Sequence, residues 1–202
     1  MRRFVVVGQL ASASPGFSLL DLPSTSGRLD VLVRCLRAAL LVSHGLRRDT
    51  VAYLVLLGGS ERPRSIRVEG TSVRFLRPDE RSLASMVQKV LAMPWSAGGA
   101  FVEKRAGIAI ADGGLDAVLA DIGPATPYVL EEDAPDLREQ PVDLDDSVIF
   151  VGDHLGVDAA TRARLAALGA TPIGVGPVSV HADDAIAIVC NELDRRGAAP
   201  RV

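Results

Sequence analysis

Short apolar runs of strand length alternate along this chain with longer segments whose apolar residues recur every three or four positions. That alternation restricts the fold more than any other feature. Runs at Arg3–Val7, Val51–Leu57, Val73–Phe75, Ile108–Ala111, Tyr128–Glu131, Val148–Val151 and Thr171–Val175 predict strands. Helical spacing predicts helices over Arg28–His44, Ser82–Ala92, Leu115–Asp121, Asp158–Leu168 and Ala182–Arg196. In the first of these, Leu29, Leu32, Val33, Leu36, Leu40 and Leu41 fall on one face. Strands that are apolar throughout need cover on both sides, so the expected fold is α/β, a largely parallel sheet flanked by helices. Asp79 or Glu80 is placed to cap the second helix after Pro78, and Gly169 stands where the helix from Asp158 should stop. Ser12–Ser26 is expected to be a loop. Pro94–Gly107 is expected to be a connector or mobile loop, with Trp95 anchoring it to the core in preference to stacking on a base.

A chain of 202 residues, 48% of them apolar, has enough material for one continuous core and is expected to form one domain over residues 1–202. Its longest apolar stretches are too short to span a bilayer, so no membrane association is expected. Cys35 and Cys190 lie far apart in helical segments, which fits buried thiols in a reducing, cytoplasmic setting better than a disulfide or a metal site. The net charge of −3 conceals a division. Residues 1–110 carry sixteen Lys and Arg against eight Asp and Glu, whereas residues 111–202 carry six against seventeen. Phosphates respond to local potential, so a basic half leaves a polyanion open as a partner. Arg28, Arg34, Arg37, Arg47, Arg48, Arg62, Arg64, Arg67, Arg74, Arg77 and Arg81 supply it, with a merely solvated arginine-rich surface as the alternative.

In open parallel sheets, ligands bind beyond the carboxyl ends of the strands. Glycine turns stand at three such places: Asp112-Gly113-Gly114, Gly152-Asp153-His154-Leu155-Gly156 and Gly174-Val175-Gly176-Pro177. None follows the first strand with the spacing of a dinucleotide fingerprint, and no phosphate-binding lysine loop occurs. The late turns contain no lysine, so they suit a ligand gripped by backbone groups, although tight corners alone would also explain them. Asp153 and His154 invite acid–base chemistry, but His44 and His181 have no partner at metal-ligand spacing, so no metal is expected. No serine stands in a nucleophile elbow.

Several stretches are familiar when taken together. They are Gly27-Arg28-Leu29-Asp30-Val31-Leu32, Arg34-Cys35, Ser43-His44-Gly45, Phe150 to Gly156, Ile173 to Pro177, His181-Ala182-Asp183 and Asn191 to Arg196. In this order and spacing the chain resembles the tRNA pseudouridine-54 N1-methyltransferases, members of the SPOUT superfamily of knotted methyltransferases. The resemblance implies a C-terminal deep trefoil knot and a homodimer. It implies S-adenosyl-L-methionine as cofactor, held by Leu130, Gly152, Ile173, Gly174, Val175, Gly176, Pro177 and Val178. It also implies tRNA, or another structured RNA, as partner. Pseudouridine N1 must lose a proton to accept a methyl group, which makes Asp30 the candidate for orienting or deprotonating it. Arg28 is the candidate for gripping a phosphate or a uracil oxygen. Each has a plain alternative, Asp30 as a helix-start carboxylate and Arg28 as a surface ion pair. Methylation of another nucleoside, or an idle RNA-binding dimer, are the competing functions.

Overall fold

Strand β1 (Arg2–Ser12) lies near the middle of the molecule. It leads through a single helical turn, α1 (Leu22–Thr25), into helix α2 (Leu29–Leu40). A small hairpin, β2 (Leu41–Val42) with β3 (Gly45–Leu46), precedes strands β4 (Thr50–Gly58) and β5 (Arg64–Glu69). Helix α3 (Glu80–Ala92), strands β6 (Val102–Arg105) and β7 (Ile108–Asp112) and helix α4 (Leu115–Ile122) follow. The last part is β8 (Thr126–Leu130), β9 (Ser147–Gly152), α5 (Ala159–Ala167), β10 (Thr171–Ile173) and α6 (Ala182–Gly197). The computed structural model describes residues 1–94, 98–141 and 146–197, so Trp95 lies outside the described residues.

Eight strands form one sheet in the order β10-β8-β9-β1-β4-β5-β7-β6. From β10 to β4 the pairings are parallel, and from β4 to β6 they are antiparallel. The expected α/β architecture with a mostly parallel sheet is therefore present. Successive residues of β1 point to opposite faces. Phe4 and Val6 join the core under α2, α3 and α6, while Val5 and Val7 join the one under α4 and α5. All four are at most 1% exposed. That is why β1 is apolar without alternation. Asp79 caps α3 by accepting from the Ser82 amide at 2.8 Å, and Asp158 caps α5 by accepting from Thr161 at 2.9 Å.

Several expected boundaries moved. Val73–Phe75 is not a strand: Val73 and Leu76 are buried with Arg74 and Phe75 exposed between them, a spacing of three that a pleated strand cannot present. The strand actually there is β5, whose Arg64, Arg67 and Glu69 conceal an alternating pattern around the buried Ile66 and Val68. The first helix stops at Leu40, because Leu41 and Val42 pair with the strand that follows His44. The connector at 94–107 contains β6, an edge strand on β7, and the loop at 12–26 contains α1. The strand expected over Thr171–Val175 ends at Ile173.

Candidate active site

The carboxyl ends of β8, β9 and β10 meet around one cleft of about 460 Å³, within the roughly 300–1,000 Å³ usual for small-molecule sites. Leu130 comes from the first strand, Gly152 from the second, and Ile173, Val175, Gly176 and Val178 from the third and the turn after it. Six of the eight residues expected to hold the cofactor thus line a single space, although more than forty positions separate the first from the last. Gly174 and Pro177 do not line it, although each is flanked in sequence by residues that do. The sequence reading missed the acidic lip formed by Glu131, Glu132 and Asp133, and the helix-start residues Ala182 and Ala185. The signal for the lip was present, since three consecutive carboxylates directly follow a parallel strand at its ligand-binding end.

Close backbone packing shapes the walls. A Cβ on Gly152 would stand 2.2 Å from the carbonyl carbon of Gly156, so only glycine lets the turn fold back on itself. Asp153 holds that turn: one carboxylate oxygen accepts from the Leu155 amide at 2.9 Å, the other from the Gln9 amide at 2.8 Å. Both oxygens are committed inside the protein, so Asp153 is a strut tying the turn to β1, and acid–base work does not fall to it. His154 lines the cleft, its Nδ1 3.8 Å from Asp153.

The other wall is clasped from two sides. The Ile173 carbonyl accepts from the Glu131 amide at 3.1 Å, the Gly174 amide donates to Pro135 at 2.8 Å, and the Gly174 carbonyl accepts from Leu137 at 2.9 Å. The segment leaving β8 therefore brackets the chain as it leaves β10. A Cβ on Gly174 would lie 2.3 Å from the Ala134 carbonyl oxygen, which prises the bracket open. Gly174→Ala is expected to cost about 2–4 kcal/mol of unfolding free energy, the size of a forced backbone shift with loss of buried hydrogen bonds. Urea titration with unchanged m-value but a lowered midpoint is the measurement, and an unaltered midpoint contradicts the bracket's structural role.

The second group of expected residues starts α2. Arg28 has φ 67° and ψ 33°, the only non-glycine residue with positive φ among the described residues. Such strain costs on the order of 1–2 kcal/mol and persists where surroundings enforce it. Its guanidinium forks onto Asp30, Nε to Oδ1 at 3.0 Å and Nη2 to Oδ2 at 3.2 Å. Arg34 donates to Asp30 at 3.0 Å from the next turn. Asp30 is only 2% exposed. Burial opposes its ionisation, but the hydrogen bonds and charges of Arg28 and Arg34 outweigh it and hold the carboxyl below the usual range. Arg28 remains partly open to solvent. Arg34 also approaches Asp183 at 3.8 Å, next to Ala182 in the cleft wall. The start of α6 therefore joins the Arg28–Asp30–Arg34 group to the cleft.

Much of the basic half is spent internally. Arg2 and Arg47 share Asp194, Arg67 binds Asp121 and Glu69, and Arg64 donates to the Ala13 carbonyl. Cys35 and Cys190 are buried free thiols, and burial pushes both up, Cys190 to about 11. Among the described residues no cluster of three or more His, Cys, Asp or Glu could hold a metal, and no helix is long and apolar enough to cross a membrane.

Comparison with known proteins identifies the family and the fold. A protein of Methanosarcina mazei named tRNA (pseudouridine(54)-N(1))-methyltransferase is 41% identical over 198 residues, covering 98% of this chain and 93% of its own length. The protein of that name from Halobacterium salinarum is 40% identical, covering 98% of each chain. The crystal structure of Archaeoglobus fulgidus Nep1 bound to S-adenosylhomocysteine superimposes with a TM-score of 0.65 at 17% identity, covering 96% of this chain and 97% of that one, and so shares its fold. The profile of the family described as "Putative SAM-dependent RNA methyltransferase" matches residues 1–198, and the chain belongs to that family of S-adenosylmethionine-dependent RNA methyltransferases.

Proposed function

We propose that this chain, as a cytoplasmic homodimer, transfers a methyl group from S-adenosylmethionine to N1 of pseudouridine 54 in tRNA. The observation that carries the reading is the single cleft formed by Leu130, Gly152 and Ile173 to Val178, adjoining the Arg28–Asp30–Arg34 group through α6. The activity for which relatives about 40% identical are named supports the substrate.

The residues fit the cofactor. Leu130, Ile173 and Val175 offer an apolar wall to a purine, and the turns at Gly152 and Gly176 bring backbone close enough to read its edge. The lip of Glu131, Glu132 and Asp133 suits a cationic ligand. When bound, S-adenosylmethionine supplies an electrophilic methyl group on a sulfonium. The chain must then position N1 and accept its proton. Arg28, the more open partner, meets the RNA first. As its guanidinium turns to a phosphate or a uracil oxygen, Asp30 loses one of its two donors and becomes free to accept the N1 hydrogen. Arg34 keeps that carboxylate ionised and aimed. Leu155, Val178 and Val180 stand exposed at the cleft mouth, and a second copy seated there would cover them. The bracket around Ile173–Gly174 supports a knotted C-terminus, threaded through the loop that leaves β8.

The decisive experiment compares two T-arm transcripts, one with pseudouridine and one with uridine at position 54. In uridine N1 carries the ribose and has no hydrogen to lose, so only the pseudouridine transcript should yield a methylated nucleoside by mass spectrometry. Equal methylation of both would transfer the reaction to another atom. Failure to bind S-adenosylmethionine in calorimetry would leave only an RNA-binding role.

A further inference from the structure

On a surface distinct from the cleft, the segment joining β5 to α3 holds an aromatic ring out in solvent. Phe75 is 72% exposed, the most open aromatic side chain among the described residues. Nothing about the segment is slack. Val73 and Leu76 are buried on either side, and Arg48 donates to the carbonyls of Gly70 at 2.8 Å and Val73 at 3.1 Å. The fold therefore spends two anchors and an arginine on keeping this ring outward. The Arg77 guanidinium lies 5.8 Å from the ring centroid.

Phe75 borders a groove whose other walls include Arg74, Arg77, Arg81, Lys89 and Arg105, with no carboxylate in the lining. Arg81, Ser85 and Lys89 descend one face of α3 at intervals of four. All five cations are exposed, and none forms an ion pair with a described residue, in contrast to Arg28, Arg34, Arg47 and Arg67. Asp79, two residues from Arg77, caps α3 through one carboxylate oxygen and feels the Arg77 charge without forming an ion pair with it. A twofold contact through this groove would set its cations against their own copies, so a second chain is a poor occupant. A polyanion with unstacked bases is a good one: phosphates match the cations, and an exposed ring offers a stacking face.

We propose that this groove is a second RNA contact, where Phe75 stacks on an unpaired base of the substrate RNA while Arg74, Arg77, Arg81, Lys89 and Arg105 hold the adjoining backbone. The proposal rests on the RNA methyltransferase reading and extends it to a surface away from the methyl-transfer cleft. It assigns to this face RNA affinity beyond the contact proposed for Arg28, which Arg47 and Arg67, held in internal ion pairs, do not supply.

The test uses the full chain saturated with S-adenosylhomocysteine and a fluorescent pseudouridine-54 tRNA transcript, read by anisotropy. Phe75→Ala should weaken binding roughly 5- to 100-fold, the range for losing one stacked base, and Phe75→Trp should restore it. The triple variant Arg77→Ala, Arg81→Ala, Lys89→Ala should lower the slope of log affinity against log salt by about 2, at roughly 0.7 per phosphate contact on single strands. Melting temperature and cofactor affinity should stay at wild-type values, and in turnover KM for tRNA should rise with kcat kept. Wild-type RNA affinity in Phe75→Ala overturns the proposal. So does a change of oligomeric state in sedimentation, which would make the groove a protein contact. If the wild type itself binds no RNA yet binds the cofactor, the functional reading falls and this proposal falls with it.

Discussion

Replacing Gly152 by alanine is expected to remove S-adenosylmethionine binding, weakening it by 100-fold or more. The added methyl carbon would lie 2.2 Å from the Gly156 carbonyl carbon and 2.5 Å from its oxygen, both backbone atoms that no side-chain rotation can move aside. The turn must therefore open. Opening it breaks the 2.9 Å hydrogen bond from the Gly156 amide to the Asp153 carbonyl and disturbs the Gln9 contacts that tie the turn to β1. Because Gly152, His154 and Leu155 all line the cleft, the displaced backbone moves into the space we assign to the adenosyl group. The loss should appear in calorimetry as an unmeasurable cofactor affinity, with the far-ultraviolet circular dichroism of the sheet retained. A variant that binds cofactor normally would show that this turn is not part of the site.

Asp30→Asn separates two roles for the buried carboxylate. If Asp30 accepts the N1 hydrogen, the single-turnover rate should fall about 100-fold or more with cofactor affinity unchanged, the usual scale for losing a proton acceptor. A purely structural carboxylate would leave the rate alone and change only stability. The structure also sets the pH dependence of that stability. The folded-state pKa of Asp30 is lowered by Arg28 and Arg34 in spite of burial, so the ion pairs contribute fully above the unfolded carboxylate value, about 4. Their contribution is lost as pH falls through the depressed folded value. Wild type should therefore exceed Asp30→Asn by about 1.5–3 kcal/mol near neutrality, typical of hydrogen bonds to a charged group, and the gap should close in acid. Urea midpoints measured from pH 7 down to pH 3 would show it. A gap that widens in acid contradicts the assignment.

Local grammar was legible before any coordinates. The strands around Val5, Leu54 and Ile149 are apolar on both faces, so they had to be central, and they are. Asp79, Asp158 and Gly169 punctuate helices by their own backbone chemistry, which needs no distant partner. Failures clustered where tertiary context overrides pattern. Arg64 and Arg67 hid β5, because a strand whose arginines find Asp121 and backbone carbonyls across the sheet looks like a basic loop when read in one dimension. Val73–Phe75 looked like a strand because three consecutive residues cannot reveal that the burial period is three.

The sequence by itself determined the layered α/β class, the helix punctuation at Asp79 and Gly169 and the family, because periodicity, caps and motif order are properties of neighbours along the chain. Which charges remain available was decided only by the fold: Asp153 became a strut and Arg67 an ion-pair partner, whereas Arg77, Arg81 and Lys89 stayed in solvent. The tertiary structure also brought Leu130, Gly152 and Ile173 together, since strand order in the sheet, β10-β8-β9, is not strand order in the chain. A binding cleft is a meeting of remote backbone turns, and their distances are set by hydrogen-bonded strand pairing that no local pattern encodes.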